Sequence, residues 1–376
     1  MTNHAVLSAS ASHRWLNCPP SVRLTERIPD NGSIYAAEGS EAHELCEFKL
    51  RQLLGMEAHN PLDTPIGLQY YDGTMEDAAT GYAAFVLELL EEIRKTCSDP
   101  IVMVEQKLDY SRWVKDGYGT GDAVIVADGT LHVVDFKYGT GVPVSAEGYS
   151  QMRLYALGAL DMFGELYDID TVVTTIYQPR LASISTDTIS KDDLLDWAEN
   201  TLRPLADQAY KGEGDLNAGS WCRFCKLRNT CRKRAEANLA MAQHDFKLPP
   251  TLSDEEIAVI LDKLDDLINW AGDVKEYALN AALHGTRFHG WKLVEGRSNR
   301  RYTDETAVAQ IVSDTGHDPY EHKLLGITAM EKLLGKKQFA TLLSDLVERP
   351  QGKPVLVPAR DKRPEMTNAK NDFANN

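Results

Sequence analysis

The sequence predicts an α/β protein, and three observations support that prediction. An apolar stripe repeats at helical spacing over residues 42–53, directly after Ser40, a residue type that often caps helices. Asp128-Gly129 lies between two apolar runs, which is a strong short-range signal for a β-hairpin. A helical pattern over 146–163 is followed by a β-branched run over 171–177, typical of a helix leading into another strand.

Composition and charge exclude several classes of protein. A chain of 376 residues, 43% hydrophobic and 26% charged, is an ordinary globular composition and excludes collagen-like or mainly disordered chains. The net charge of −16 means that any contact with nucleic acid depends on local basic patches. The start lacks the basic and apolar regions of a signal peptide, and no apolar run of about 18 residues follows, so we expect a cytoplasmic protein.

The chain is predicted to divide into two domains. A helix capped by Ser190 and running to about residue 211 precedes a glycine-containing break and then a cysteine cluster. Residues 248–251 have the composition of a linker, and Ser253 with Glu256 forms a capping box for a long helix reaching about residue 283. We therefore expect a first domain over 1–240 and a mainly helical region over 241–376 with a basic C-terminal tail.

The predicted hairpin brings two carboxylates face to face. A two-residue turn at Asp128-Gly129 aligns the strands so that Asp122 lies opposite Asp135, and the alternation of side chains puts Lys137 on the same face as Asp135. Like charges opposite each other destabilise adjacent strands, so the pair needs a cation. The alternative is that the acids lie in solvent at the end of the sheet, where pairing costs little.

A hard divalent cation fits this set of ligands. Asp122 and Asp135 would supply carboxylate oxygens, and the carbonyl of Phe136 would supply a further oxygen. Lys137 would then orient or deprotonate a water, or neutralise charge that grows on a phosphate.

These residues resemble the core of the PD-(D/E)XK nucleases, in particular their RecB-like branch. The resemblance rests on Asp122 followed by Asp135-Phe136-Lys137, on Gly39-x-x-x-His43 and on Gln151-x-x-x-Tyr155. It implies a mixed central sheet flanked by helices, with a C-terminal, mainly helical extension. It also implies that His43 is a metal ligand beside the two aspartates, that Lys137 is catalytic, and that Gln151 and Tyr155 line the site. With an imidazole ligand, we expect Mn²⁺ to serve at least as well as Mg²⁺.

The cysteines suggest a second metal site. Cys222, Cys225 and Cys231 are grouped, whereas a tetrahedral or cubane site needs a fourth thiolate. Cys18 lies in a loop-like segment before two prolines, while Cys46 and Cys97 suit core or structural positions. The arrangement resembles the iron-sulfur subset of the same nucleases, which implies a [4Fe-4S] cluster. A structural Zn²⁺ site with the same thiolates remains the alternative.

The cysteine loop is also basic within an acidic chain. Its cations could contact phosphates and deliver a strand to the carboxylates, or form a solvated face that offsets the thiolate charge. These residues are Arg223, Lys226, Arg228, Arg232, Lys233 and Arg234.

The sequence therefore predicts a metal-dependent deoxyribonuclease. The resemblance implies an exonuclease that resects double-stranded ends in recombination or repair, acting on linear duplex or single-stranded DNA alongside a single-strand annealing protein. Residues 353–358 resemble a phage-associated family of unknown function, which places the protein in a bacterial host cell, encoded by a phage or prophage. No Walker A pattern was found, so no ATP motor is expected. The alternatives are a catalytically inactive DNA-binding or scaffold module that keeps the structural metal, and a site-specific endonuclease.

Overall fold

The computed structural model describes residues 5–29, 32–242, 253–294, 302–320 and 324–348. The chain divides into two compact units, Met1–Asn280 and Ala281–Asn376. Within the described residues, no helix has the length and apolar character needed to cross a membrane.

The first unit contains nine helices and five strands among its described residues. The strands are β1 (Ile101–Asp109), β2 (Tyr118–Ala127), β3 (Gly129–Phe136), β4 (Ile169–Gln178) and β5 (Ser183–Ser190). The helices are α1 (Ser12–Asn17), α2 (Ser21–Thr25), α3 (Ile34–Leu53), α4 (Gly73–Ile93), α5 (Ser150–Phe163), α6 (Lys191–Trp197), α7 (Arg203–Lys211), α8 (Arg232–Ala242) and α9 (Asp254–Leu283), whose last residues pass into the second unit.

The five strands form one mixed sheet in sequence order. Neighbouring strands are antiparallel except β3 and β4, which are parallel and connected through α5. Gly129 adopts a φ of 73° in the turn between β2 and β3, a conformation that glycine tolerates at little cost. Val124 pairs with Val133 and Ala127 with Thr130, so the predicted hairpin register is confirmed. The expectation of an α/β fold with helices flanking a mixed sheet is also confirmed.

Both faces of the sheet are covered by helices. One face packs against α5, α1, α6 and α7 in a core that includes Val124, Val133 and Trp15. The other face packs against α3 and α4 around Ile125, Val134 and Phe136. Because both faces are covered, polar side chains at the ends of the central strands are withdrawn from water.

Helix α5 lies very close to the sheet at Gly158. A Cβ added at this position would meet the Cβ of Leu108 at 2.9 Å and the backbone carbonyl carbon of the same residue at 3.1 Å. A side chain at residue 158 would require α5 to move away from β1. Glycine at this position therefore allows the helix to pack this close to the sheet.

Four sequence predictions differ from the observed elements. Helix α3 begins at Ile34 with Ser33 as its N-cap, and the Ser40 hydroxyl instead donates to a carbonyl inside the helix. The helix predicted from 146 begins at Ser150. The predicted helix to residue 211 contains a π-helical turn, Ala198–Leu202, ahead of Pro204. Strand β5 was not predicted, because its mostly polar sequence lacks an apolar alternation.

The domain boundary also differs from the expected position. The division falls after Asn280, whereas the sequence suggested residue 240. Arg234 of α8 forms ion pairs with Asp266 and Asp273 of α9, and these contacts hold α9 to the first unit. The described helices of the second unit are α10 (Glu305–Asp314), α11 (Ile327–Leu334) and α12 (Lys336–Leu343). The linker at 248–251 and the basic tail from 349, which includes 353–358, lie outside the described residues.

Candidate metal and nucleic-acid site

Two carboxylates lie at the end of the central hairpin. The β2–β3 ladder runs from Ala127 with Thr130 to Ala123 with Val134, so Asp122 and Asp135 occupy the next opposed positions. Asp122 is 8% exposed and Asp135 is 2% exposed. Burial of both acids contradicts the alternative in which they lie in solvent at the end of the sheet.

Asp135 belongs to a hydrogen-bonded group that joins β3 to α5. The Lys137 ammonium lies 2.8 Å from Asp135 Oδ2 and donates to Gln151 Oε1 at 3.1 Å. Gln151 Nε2 in turn donates to Asp135 Oδ1 at 3.2 Å and to the Tyr155 hydroxyl at 3.0 Å. All four of these residues were predicted to belong to the site, and the structure brings them together.

Asp122 is held by α3 and by the neighbouring strand. His43 Nδ1 lies 3.2 Å from Asp122 Oδ1, and the Phe136 backbone N–H donates to Asp122 Oδ2 at 2.6 Å. The His43 ring packs edge-on against the Phe136 ring at 5.4 Å between centroids. His43 therefore lies beside Asp122, and Phe136 contributes its N–H and its ring to the arrangement.

Glu105 is a further acid of the site that the sequence analysis missed. It lies on β1 between Val104, which pairs with Ala123, and Gln106, which pairs with Gly121, and so it occupies the position opposite Asp122. Its φ of 52° is unusual for a residue other than glycine and interrupts the ladder at this point. Ligand atoms of His43, Glu105 and Asp122 all lie within 4.8 Å of one another. We call Glu105, His43, Asp122, Asp135 and Lys137 the carboxylate site.

The pKa values show how strongly the groups of the carboxylate site are coupled. Burial raises the pKa of Glu105 to about 8, and the charge of Asp122 adds to that rise. For His43, burial acts downward, but the charge and hydrogen bond of Asp122 outweigh it and raise the pKa to about 9. At neutral pH these pKa values favour the protonated forms of Glu105 and His43.

The pKa values of the two aspartates and of Lys137 shift in different directions. Burial acts to raise the pKa of Asp122, but His43 and the Phe136 N–H outweigh it, so the pKa is lowered. Burial raises the pKa of Asp135 despite the nearby Lys137. Burial acts to lower the pKa of Lys137, yet Asp135 outweighs it and the net shift is upward, so the amine stays charged.

Four cysteines from distant parts of the chain line one cavity of about 200 Å³. Burial raises the pKa of the Cys225 thiol, and the nearby Cys18 and Cys231 add to that rise. No three of their sulfur atoms lie within 4.8 Å of one another in the part of the chain that the structure describes. Cys46 and Cys97, expected to be structural, are buried elsewhere. We call the space lined by Cys18, Cys222, Cys225 and Cys231 the cysteine cavity.

The basic residues of the cysteine loop do not form a uniform surface. Arg223, Lys226, Arg232 and Lys233 are exposed, and Arg223 Nη2 donates to the Gly141 carbonyl at 3.3 Å, in the segment that follows Lys137. Arg228 is partly buried and pairs with Asp273. The prediction that Arg234 binds nucleic acid is wrong in this structure, because its side chain is fully buried and ion-paired to α9.

The fold and the two sites define an α/β protein with a buried acid–imidazole–amine cluster and a separate cavity lined by thiols. The chain belongs to the family described as "Protein of unknown function (DUF2800)", whose profile matches residues 4–364. Among solved structures, "Crystal structure of SSO0001" matches with 14% identity and a TM-score of 0.24, over 59% of this chain and 96% of that one. A match at this level does not bear on fold or function.

Proposed function

We propose that this protein is a metal-dependent deoxyribonuclease with a PD-(D/E)XK core of the RecB-like type. The observation that carries the proposal is the carboxylate site itself, in which a charged amine lies 2.8 Å from one buried aspartate and an imidazole 3.2 Å from the other. Buried acids opposed on adjacent strands are costly unless a cation compensates them. Lys137 and His43 compensate the two aspartates, and with Glu105 the site gathers three carboxylates and one imidazole, which are donors that a divalent cation takes.

Carboxylate oxygens and one imidazole suit Mg²⁺ or Mn²⁺. His43, Glu105 and Asp122, whose ligand atoms lie within 4.8 Å of one another, would hold the cation, and Asp135, which the sequence resemblance also gave as a ligand, lies outside that group of three. When bound, the cation would polarise a phosphate oxygen and make a water molecule easier to deprotonate. Because the Lys137 amine is charged at neutral pH, its role is to neutralise charge growing on the phosphate. Gln151 fixes that amine and Asp135 at once, and Tyr155 orients Gln151.

The exposed cations of the cysteine loop support DNA as the substrate. Arg223 contacts the segment that follows Lys137, so phosphates bound by the loop would lie beside the carboxylate site. A strand could enter along Arg223, Lys226, Arg232 and Lys233 despite the overall negative charge. We propose an exonuclease acting on the ends of linear duplex in phage recombination or repair, with a single-strand annealing protein as its partner.

The cysteine cavity fits a [4Fe-4S] cluster. Four cysteine sulfurs, which are soft donors, line one cavity. A tetrahedral zinc site with Zn–S bonds of about 2.3 Å would place its sulfurs about 3.8 Å apart. The wider spacing of the sulfurs favours the larger group. Its role would be to tie the N-terminal segment to the cysteine loop, apart from the chemistry at the carboxylates.

An end-labelled linear duplex, incubated with Mg²⁺ or Mn²⁺ and with or without EDTA, tests the nuclease proposal. The wild type should shorten the label-bearing strand only when the cation is available, and Asp135→Asn should abolish this. Asp128→Asn is the matched control, because it makes the same change at the exposed turn of the same hairpin. If wild type and Asp135→Asn act alike, the nuclease proposal fails and the inactive DNA-binding module is favoured. Equal digestion of closed circular DNA would contradict the exonuclease part alone.

A further inference from the structure

A buried guanidinium forms part of the wall of the cysteine cavity. Arg234 is 0% exposed, and it lines the same cavity as the four cysteines. Its neighbours in sequence, Arg232 and Lys233, carry the same charge but are exposed. A fully buried charge is expensive unless something nearby compensates it, so Arg234 requires an explanation that its neighbours do not.

Helix α9 supplies part of that compensation. Arg234 Nη2 donates to Asp266 Oδ1 at 2.9 Å, and Nη1 donates to Asp273 Oδ2 and to the Arg228 carbonyl. Asn238, one turn along α8, donates to Asp266 Oδ2 at 3.3 Å. The two terminal nitrogens are thereby held in a fixed position by an element that has no other described role in the site.

The third nitrogen of the guanidinium, Nε, is not compensated in this way. Arg234 Nε is buried without a hydrogen-bond partner, which is unfavourable for a donor of a charged group. A metal group bound by the cysteines would bring sulfur atoms to this wall of the cavity, and these sulfurs could accept a hydrogen bond from Nε.

We propose that Arg234 is the buried counter-charge of the metal group held by the four cysteines, and that Asp266 and Asp273 of α9 keep its guanidinium in position. This inference rests on the cofactor part of the proposed function and is independent of cleavage at the carboxylate site. Arg234 is a positioning residue, since it acts on the thiolates and touches no substrate. Retention of the metal group thus depends on α9, a helix that contributes none of its ligands.

Metal retention in the full-length protein tests this role. Iron and zinc per chain are measured first, followed by the rate of metal loss to an excess of a colorimetric chelator, with circular dichroism to verify folding. Arg234→Gln should lose metal about tenfold faster than wild type, the size expected for removing an outer partner of a metal ligand. Arg234→Lys keeps the charge and should stay within about twofold of wild type. Lys211→Gln removes one exposed charge outside the cavity and is the matched control, which should retain metal as wild type does.

Each contrary outcome has a distinct meaning. Metal loss from Arg234→Gln at the wild-type rate overturns the inference. Loss from Arg234→Lys as fast as from Arg234→Gln also overturns it, because the forked contacts to α9 would then matter and the charge would not. If Arg234→Gln does not fold, Asp273→Asn replaces it and should lose metal faster than wild type, and an unchanged rate again overturns the inference. A wild-type protein with neither iron nor zinc removes both this inference and the cofactor proposal, whereas the Asp135→Asn assay still decides the nuclease proposal.

Discussion

The carboxylate site and the cysteine cavity are assembled in opposite ways. Asp122 and Asp135 come together because one tight turn fixes the register of two adjacent strands. Cys18 meets Cys222, Cys225 and Cys231 only after the whole first unit has folded between them. A local turn therefore sets the geometry of the first site, whereas the second depends on packing between segments about two hundred residues apart in the chain.

This comparison predicts that loss of a cysteine ligand will affect stability more than loss of a carboxylate. Cys231→Ser should abolish bound metal and lower the free energy of unfolding by about 4 kcal/mol, because a cross-link across a long loop is lost. Denaturant unfolding and metal analysis measure both effects. Cys97→Ser, a buried thiol outside the cavity, is the control and should keep its metal. Equal metal content in the two variants would remove the distinction.

Substitution of Glu105 should weaken cation binding and increase the stability of the cation-free protein. Glu105→Gln should weaken Mn²⁺ binding by about 10- to 100-fold, measured by calorimetry, if this acid is a ligand. The same variant should unfold at a higher temperature near pH 8 without a cation. An acid whose pKa is raised in the folded state destabilises that state as the pH rises above its unfolded value. A variant that is less stable without a cation would contradict the placement of Glu105 beside Asp122.

The protons held by the carboxylate site predict a pH dependence that the cysteine cavity should not share. A cation must displace protons from Glu105, with a pKa of about 8, and from His43, with a pKa of about 9. Mn²⁺ affinity should therefore rise with pH up to about 9, by about tenfold per unit for each proton displaced. Calorimetric titrations between pH 6.5 and 9 measure the slope. An affinity independent of pH would show that these groups do not bind the ion.

The smallest expected effect concerns the helix that carries His43. Ser33→Ala removes the hydroxyl that accepts from the Ala36 N–H and should cost about 1 kcal/mol of stability. Ser40→Ala should change stability by only a few tenths, because Ser40 lies inside α3. Thermal unfolding of the two variants separates the observed cap from the one that the sequence suggested, and a larger loss for Ser40→Ala would reverse that assignment.

The parts of the carboxylate site that were predictable share a local cause. Asp-Gly turns have few geometries, so the alignment of Asp122 with Asp135 followed from the sequence. Glu105 was missed because β1 and β2 are joined by a longer connection whose form the sequence does not specify, which left their register open. The polar strand β5 was missed because tertiary pairing outweighed the local pattern. The early start of α3 was missed because the local cap is Ser33, ahead of a first turn whose apolar residues are exposed and carry no core pattern.

The basic loop illustrates the same limit from another direction. Arg232, Lys233 and Arg234 are three consecutive basic residues, and nothing in the local sequence separates their roles. Arg234 alone of the three is buried, because it pairs with two aspartates of α9 that lie more than thirty residues further along the chain. Charge composition alone cannot assign such roles, since the partner that decides burial is remote in sequence.

The tight packing at Gly158 limits which substitutions in α5 the carboxylate site can tolerate. Two turns earlier on the same helix, Gln151 must reach Asp135 on β3 and Lys137 just beyond it to within a few tenths of an ångström, and Tyr155, about one turn before Gly158, accepts from Gln151. A single methyl group added at residue 158 would lift the helix at a point remote from any reacting atom and lengthen those contacts. The lack of a side chain at Gly158 therefore fixes the position of α5 relative to the carboxylate site, and any redesign of α5 should keep this glycine.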